Sequence, residues 1–264
     1  MTIDVPELAT LVESLPTGLL PPGRLVPPAG GGPPRYWLSD APAAPGLWSR
    51  LRAEHPGSGL WPLLLDGLRG EPTRPWADGE VDPDLVTSPD GHDPDEVLAE
   101  WWAACTTPEG HDQPTPSVIA PFGPAWPGLA PAGVLTEPPD RCAANYLALG
   151  RHDSARLGLV PAGRGADAVA VAGWSGPVNH AADSGMIAAV LRSWEARFGA
   201  RVVHVGFDTL DLSIAAPPAP GAHALQVAAE HFAFCPDNIW QDSGPIRAYA
   251  DRLVDAPCWS FWWD

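Results

Sequence analysis

The chain has 264 residues, with 15 basic Lys and Arg residues against 32 acidic ones, for a formal net charge of −17. This charge excludes an electrostatic nucleic-acid binder, because phosphate contacts need clustered Lys and Arg side chains. Hydrophobic residues make up 45% of the chain, which excludes general disorder. Of the 34 prolines, 26 lie in residues 1–150 and 8 in residues 151–264, so the two halves are expected to differ in architecture.

Residues 1–20 carry three acidic residues, two prolines and no basic residue. A secretory signal begins with a basic region, so none is predicted. No apolar run approaches the roughly 18 residues that a membrane span needs. The four cysteines form no C-x-x-C pair, which favours reduced, packed thiols over a zinc site or disulfides. We therefore expect a soluble, cytoplasmic protein without membrane association.

The Pro-rich half is predicted to contain short elements joined by long connections. Residues 16–45 are rich in proline and glycine and predict an extended connector. A short helix is predicted from residue 47 to a tight turn at residues 55–59, followed by a strand at residues 60–65. Pro62 lies inside this strand and cannot donate a ladder hydrogen bond, which predicts that the strand lies at a sheet edge or begins after Pro62.

An acidic segment follows at residues 78–96, with eight Asp and Glu residues and no Arg or Lys, and it predicts a solvated loop. Asp93 and Pro94 are typical of a helix start, and apolar residues recur at helical spacing from Val97 to Cys105. Residues 106–145 are predicted to be Pro-rich connection with a strand at 117–120. His92 and His111 are interpreted as loop residues, and metal binding by them is the less favoured alternative.

The second half shows regular patterns. Apolar runs at 157–160 and 168–172 predict strands, and the pattern of 203–214 predicts a hairpin in which His204 faces away from the apolar stripe. Helices are predicted at 184–198, 221–234 and 245–254, and a terminal strand at 259–263.

These elements predict an α+β fold. From residue 167 the order is β-α-β-β-α-α-β, which is typical of a ferredoxin-like or similar α/β sandwich with helices on one face of a mainly antiparallel sheet. We predict two regions: a loop-dominated, Pro-rich region over residues 1–150, packed on an α+β domain over residues 151–264.

Residues 163–168 fit the G-x-G-x-x-A pattern of dinucleotide-binding turns. That chemistry requires a helix directly after the turn, and a strand is predicted there, so we reject it. No P-loop, G-x-S-x-G or H-E-x-x-H motif occurs, and we expect no cofactor and no metal.

The strongest candidate site lies in residues 230–241. His231 and Cys235 are four residues apart, so a continuous helix would place the imidazole and the thiol on one face, as a base and a thiolate nucleophile require. Asp237 or Glu230 would then orient the pair or relay protons. The alternative, which we favour, is that Cys235 packs as the last apolar residue of the helix and His231 hydrogen-bonds a neighbouring carbonyl. Trp240 and Gln241 are candidate binding residues.

Thirteen tryptophans are present, seven of them in the Pro-rich half. We interpret most as anchors that pin loops, because an indole buries a large area and still donates its N–H. The alternative is an exposed subset that forms a binding surface.

Four segments resemble the bacterial family named domain of unknown function 4253 (DUF4253), over about residues 157–264. They are residues 190–200, 205–210, 229–241 and 259–264, of which the Glu-His-x-x-Phe-Cys-Pro-Asp stretch is the most specific. The N-terminal half resembles the longer actinobacterial members. The resemblance implies a bacterial, cytoplasmic, globular α+β protein and implies no activity, since none is established for the family. It marks Glu230, His231, Cys235, Pro236, Asp237 and Gln241 as the family motif.

The charge favours a non-enzymatic module that presents an acidic, Trp-containing surface to a basic protein partner, as a regulator or an immunity-type neutraliser. The alternatives are an enzyme that uses Cys235 with His231, and a protein with a small-ligand pocket between the sheet and the Pro-rich half. The sequence leaves the oligomeric state open.

Overall fold

A computed structural model describes residues 8–106 and 116–264 of the chain. Within them, seven strands form one sheet in the order β1-β2-β4-β3-β5-β6-β7, in which β3 and β5 are parallel and all other neighbours antiparallel. The strands are β1 Gly23–Val26, β2 Tyr36–Pro42, β3 Leu60–Leu65, β4 Arg156–Pro161, β5 Arg201–Val205, β6 Thr209–Ser213 and β7 Cys258–Trp262. The α+β class is confirmed.

Helices cover both faces of this sheet. They are α1 Leu8–Glu13, α2 Leu47–Ser58, α3 Pro94–Thr106, α4 Pro116–Ile119, α5 Pro139–Leu147, α6 Gly165–Ala172, α7 Ser184–Phe198, α8 Ala222–Phe234 and α9 Ile246–Leu253, with a π-helix at Asn238–Ser243. The main core packs α3, α6, α7, α8 and α9 on the first face, while α1, α2 and α5 pack on the second. The helices after residue 163, α6 to α9, lie on one face only, as expected for the second half, and the Pro-rich half supplies the layer on the other face.

The two halves of the chain share the sheet. Strand β4, from the second half, lies between β2 and β3 from the first half. The two regions predicted on either side of residue 150 therefore contribute strands to one continuous sheet.

The position of β3 corrects the prediction for Pro62. This strand lies in the middle of the sheet, between β4 and β5. Pairing with β5 includes only Leu64 and Leu65, so the missing N–H of Pro62 falls where β5 has not yet joined the ladder. The Pro62 carbonyl accepts a hydrogen bond from the Trp48 indole at 2.9 Å. A central strand thus tolerates proline because one neighbour pairs late.

Two predicted strands are helices. Residues 117–120 fall largely in the short α4, and the apolar run at 168–172 lies in α6. Nearly all residues of α6 are buried, so its sequence is apolar on every side. Such a run has no polar face at helical spacing, and its pattern therefore does not distinguish a buried helix from a buried strand. The turn predicted at 55–59 is also corrected, since α2 continues to Ser58 and ends at Gly59, whose φ is 68°.

A helix does follow Gly163-Arg164-Gly165, so the stated reason for rejecting a dinucleotide site was wrong. The site is absent for other reasons. Strand β4 is antiparallel to both of its neighbours, whereas the dinucleotide turn belongs to a parallel βαβ unit. The Glu195 carboxylate also accepts a hydrogen bond from Ala166 at the start of α6, where a pyrophosphate would bind.

Tryptophan indoles hold several connections in place. Trp76 donates to the Val205 carbonyl at 3.0 Å, Trp102 to Pro124 at 3.1 Å, and Trp126 to the Asp95 carboxylate at 2.7 Å. Each bond ties a loop of the Pro-rich half to an element of the core or to another part of the chain.

Candidate metal centre

Four polar side chains meet on the second face of the sheet, where the parallel strands β3 and β5 end. Asp66 directly follows β3, His204 is in β5, Asp211 is in β6, and His152 lies in the connection between α5 and β4. A bulge in β5 between Val202 and His204 brings His204 opposite Asp211. Bulges often redirect a side chain in this way at functional sites.

The ligand atoms of this His-Asp cluster, defined as Asp66, His152, His204 and Asp211, are close together. One atom each of Asp66, His152 and His204 lies within 4.8 Å of the others. His204 Nε2 is 3.1 Å from Asp66 Oδ2. Asp211 Oδ2 is 3.3 Å from His152 Nε2 and 3.2 Å from His204 Nδ1. The His204 Nδ1 atom is buried and has no hydrogen-bond partner of correct geometry.

Burial and charge act in opposite directions on the histidines. Burial lowers the pKa of His204, but the close carboxylates of Asp211 and Asp66 outweigh it and raise this pKa above its ordinary value of 6.5. Burial and the neighbouring His204 lower the pKa of His152. Burial raises the pKa of Asp211, but the interaction with His204 outweighs it and lowers this pKa. Two carboxylates therefore surround one readily protonated and one neutral imidazole.

A second set of groups supports the cluster. The Tyr146 hydroxyl of α5 lies 3.3 Å from His152 Nε2, and a hydrogen bond with Ser260 of β7 helps to hold Asp211 ionised. The two imidazoles are stacked, with ring centroids 4.1 Å apart and planes at 18°. An ion shared by both must lie near both ring planes, so binding requires one ring to turn out of the stack.

Sequence reasoning missed this cluster. It placed His204 on the second face of the hairpin, which the structure shows, but it assigned no role to Asp66, His152 or Asp211. The available signal was that His204 and Asp211 both fall on the polar face of one predicted hairpin. Asp66 and His152 come from distant parts of the chain, so only the strand order brings them there. His111 lies outside the described residues.

Among the predicted site residues, Glu230 forms a buried ion pair. Its two oxygens accept four hydrogen bonds: Oε1 from Ala130 N at 2.7 Å and Arg197 Nη1 at 2.8 Å, Oε2 from the Trp194 indole and Arg197 Nη2, each at 2.7 Å. Every acceptor position is thus used by protein donors. This arrangement supports a structural role, in which Glu230 joins α7, α8 and the Pro-rich segment at residue 130.

His231 and Cys235 are both fully buried. His231 Nδ1 lies 3.1 Å from the Tyr249 hydroxyl, and burial holds the pKa of the imidazole well below its usual range. The Cys235 thiol donates to the Trp262 carbonyl at 2.9 Å, and burial raises its pKa to about 12. A thiol nucleophile needs the opposite environment, with access and a lowered pKa. These contacts favour packing over a thiolate pair for both residues, but the expected carbonyl partner of His231 is replaced by the Tyr249 hydroxyl, and His231 Nε2 has no partner among the described residues.

The remaining candidates lie at the surface around the π-helix. Asp237 accepts hydrogen bonds from the Gln241 side-chain amide at 3.0 Å and from Asp264 N at 3.2 Å. Trp240 is 36% exposed and its ring packs edge-on against Phe232. Gln241 is exposed. Among the described residues, no hydrogen bond joins these three side chains to the His-Asp cluster.

We expect Cys235 to resist iodoacetamide in the folded protein. Its thiol is buried and its pKa of about 12 leaves almost no thiolate near neutral pH. Mass spectrometry of tryptic peptides should find Cys235 labelled only after denaturation, whereas the half-buried Cys142 should label first. Rapid labelling of native Cys235 near pH 7 would contradict the packing role and favour an enzyme that uses Cys235 with His231.

Comparison with known proteins adds one match. Residues 156–264 match the family described as Domain of unknown function (DUF4253), which confirms the resemblance for this segment. The matched segment begins at β4 and includes His204 and Asp211 but neither Asp66 nor His152. No curated protein and no solved structure matches the chain. No helix of the described residues is both long and apolar enough to cross a membrane.

Proposed function

We propose that this chain, whose C-terminal segment matches a family of unknown function, binds one divalent transition-metal ion at the His-Asp cluster. The observation that carries the proposal is the approach of Asp66, His152 and His204 to within 4.8 Å of one another by their ligand atoms. The sequence alone predicted no metal, because these residues follow no spacing motif.

The donor types indicate the class of ion. Two imidazole nitrogens with one or two carboxylates suit Zn²⁺ and its first-row neighbours, whereas Ca²⁺ and Mg²⁺ prefer oxygen ligands throughout. The uncoordinated His204 Nδ1 and the Asp211 carboxylate next to it match the usual support for a metal-bound histidine, which donates its second nitrogen to a carboxylate.

Access to the cluster is available from one side. The Asp66 side chain is 33% exposed, while those of His152, His204 and Asp211 are between 8% and 13% exposed. An ion would therefore enter past Asp66 and finish among buried donors. A site with protein ligands on three sides and one open side leaves a coordination position for water or substrate.

Cobalt binding tests this proposal directly. Metal-free protein, prepared with a chelator, is titrated with Co²⁺ while its visible absorption is recorded, and Zn²⁺ is then used to displace the cobalt. We expect one ion per chain. H152A and D66N should each weaken Co²⁺ binding by at least about tenfold, since even supporting residues of metal sites are worth that much.

The matched control is H92A. His92 also pairs with a carboxylate, Asp183, at 3.7 Å, but no second imidazole joins this pair among the described residues. H92A should bind Co²⁺ as the unaltered protein does, and circular dichroism should show that all variants are folded. Equal Co²⁺ affinity in H152A and the unaltered protein would reject the site.

The acidic protein-binding module remains a second proposal, favoured by the exposure of Trp240. This indole belongs to the π-helix together with Gln241 and Asp242, and Asp237 directly precedes that helix, in a chain of net charge −17. Exposed tryptophans are enriched in interface hot spots, and acidic charge accelerates encounter with basic partners.

Native mass spectrometry of protein purified gently from its own host tests this second proposal. A stoichiometric protein adduct that weakens with salt should be present in the unaltered protein and lost in W240A. The control is L149A, which removes another exposed apolar side chain. An adduct that persists in W240A would reject the role of this surface.

A further inference from the structure

A pocket of about 330 Å³ lies at the end of the sheet where β5 turns into β6. Its walls come from the loop after β3, the connection between α6 and α7, the β5–β6 turn and the residues that follow β7. Its volume falls within the range of small-molecule sites and is too small for a folded partner. The pocket shares no lining residue with the His-Asp cluster, so a ligand there does not depend on the proposed metal site.

Aromatic side chains form the apolar part of this pocket. Trp174 and Trp263 line it, with ring centroids 5.7 Å apart and planes at 70°, and the half-buried Phe207 lies beside them. The Trp174 indole donates to the Gly206 carbonyl at 3.0 Å, and the Trp263 indole donates to the Phe234 carbonyl at 3.3 Å. Because both N–H groups are used, the indoles offer a ligand only their ring carbons. Such surfaces bind apolar groups and attract cations.

The charged groups of the pocket are all acidic. Glu80, Asp208 and Asp264 line it, and no Arg, Lys or His residue does. Arg74 neutralises Glu80 through two hydrogen bonds, at 2.6 and 2.7 Å. The carboxylates of Asp208 and Asp264 have neither an ion pair nor a hydrogen bond within the part of the chain that the structure describes. Two free carboxylates therefore border an aromatic surface.

The backbone holds these two residues in place before any ligand binds. The Asp208 carbonyl accepts a hydrogen bond from Trp263 N at 3.0 Å, which joins the β5–β6 turn to the residues after β7. The Asp264 carbonyl accepts from the Asn179 side-chain amide at 3.0 Å, which joins the same residues to the α6–α7 connection. The walls of the pocket are thus tied to one another, and a preformed site reduces the ordering cost of binding.

The surroundings favour an organic cation over a metal ion. Among the described residues, three His, Cys, Asp or Glu ligand atoms within 4.8 Å of one another occur only in the His-Asp cluster, so the acidic residues of the pocket do not converge on one point. The aromatic surface already attracts one cation, since the Arg74 guanidinium carbon lies 5.0 Å from the centroid of the Phe207 ring. A ligand with a positive head and an apolar body matches both parts of the pocket.

We propose that this pocket binds a small organic amine in its protonated form, with the ammonium group held by Asp208 and Asp264 and the apolar body packed against Trp174 and Trp263. An ammonium group donates hydrogen bonds to carboxylates, and such charge-assisted bonds are stronger than neutral ones. The nearby indole rings add a cation–π attraction. A neutral or anionic molecule of the same shape gains neither contribution, so the pocket discriminates by charge.

Titration calorimetry with three probes of one shape tests the proposal. Benzylamine is the cation, benzyl alcohol its neutral counterpart and benzoate its anionic counterpart. Near neutral pH, benzylamine should bind at one site per chain and at least about tenfold more tightly than benzyl alcohol, because only the amine forms charge-assisted hydrogen bonds. Benzoate should bind more weakly than either. Added salt should weaken the binding of benzylamine and leave that of benzyl alcohol unchanged.

Isosteric variants locate the binding site. D208N and D264N should each lower the affinity for benzylamine by at least about threefold, and the double variant by at least about tenfold. Both should fold normally, because each replaces a carboxylate that has no partner among the described residues. The control is D251N, which removes the same charge from an exposed residue of α9 outside the pocket. It should leave the affinity for benzylamine unchanged.

Several results would overturn the amine site. Absence of benzylamine binding would do so, as would equal affinities for benzylamine and benzyl alcohol, which indicate an apolar pocket without charge selection. An equal loss of affinity in D251N and D208N would show that the amine responds only to the net charge of the chain. Co²⁺ binding by the double variant D208N/D264N should match that of the unaltered protein, which keeps the test of the amine site separate from that of the metal site.

Discussion

Replacing Glu230 with alanine should lower the free energy of unfolding by about 3–5 kcal/mol. The substitution leaves the Arg197 guanidinium, the Trp194 indole N–H and the Ala130 amide without their acceptor. Removing one partner of a buried ion pair costs this much because the remaining charge stays uncompensated away from water. Urea unfolding followed by tryptophan fluorescence measures the change.

The isosteric variant E230Q should be nearly as unstable. Glutamine keeps one carbonyl oxygen, but its amide NH₂ group would face two of the four donors that now contact the carboxylate. The control is E100A, which removes an exposed glutamate from α3 and should change the free energy of unfolding by less than about 0.5 kcal/mol. Equal stability of E230A and E100A would contradict the structural role of Glu230.

Deleting residues 259–264 should leave the protein unfolded and insoluble. Trp259, Phe261 and Trp263 are each at least 97% buried, and the first two pack against the Trp194 ring. Loss of one such aromatic side chain costs about 3–5 kcal/mol. Three together approach or exceed the total stability of about 5–15 kcal/mol that folded proteins possess. The deletion also leaves β6 as an exposed sheet edge.

Expression of the shortened chain and centrifugation of the lysate measure this effect. Deleting Asp264 alone is the matched control. It removes the hydrogen bonds from Asn179 and to Asp237 but leaves the aromatic side chains in place, so this variant should remain soluble and folded. A soluble, cooperatively unfolding chain that ends at residue 258 would contradict the placement of β7 in the core.

The elements that the sequence predicted well are those whose signals are local. Helix α7 is capped at its start by Asp183, whose side chain accepts from Gly185 N, and at its end by Gly199 with φ 60°, as the sequence predicts. The hairpin of β5 and β6 follows from alternating apolar residues. By contrast, α6 has no polar face and was mistaken for a strand, and the position of β3 depends on strand order, which no local pattern encodes.

The same distinction explains the candidate site. The spacing of His231 and Cys235 is visible in the sequence, yet the burial of His231 depends on aromatic residues in other elements, including Trp194 and Trp259. The Cys235 thiol likewise donates to the Trp262 carbonyl of β7. The His-Asp cluster has no spacing signal because three separate parts of the chain supply it. The contacts of Glu230, His231 and Cys235 therefore support a role of these motif residues in the fold, and residues without a motif form the proposed metal site.

The place of β4 between β2 and β3 also constrains the order of folding during synthesis. About 90 residues separate the end of β3 from the start of β4, so the ribosome releases β2 and β3 well before the strand that joins them, at roughly 5–20 residues per second. During this interval both strands expose unpaired backbone edges, which are prone to aggregation. The sheet closes only when residues 156–161 insert, so the edges of β2 and β3 that will pair with β4 stay open until β4 has been synthesised.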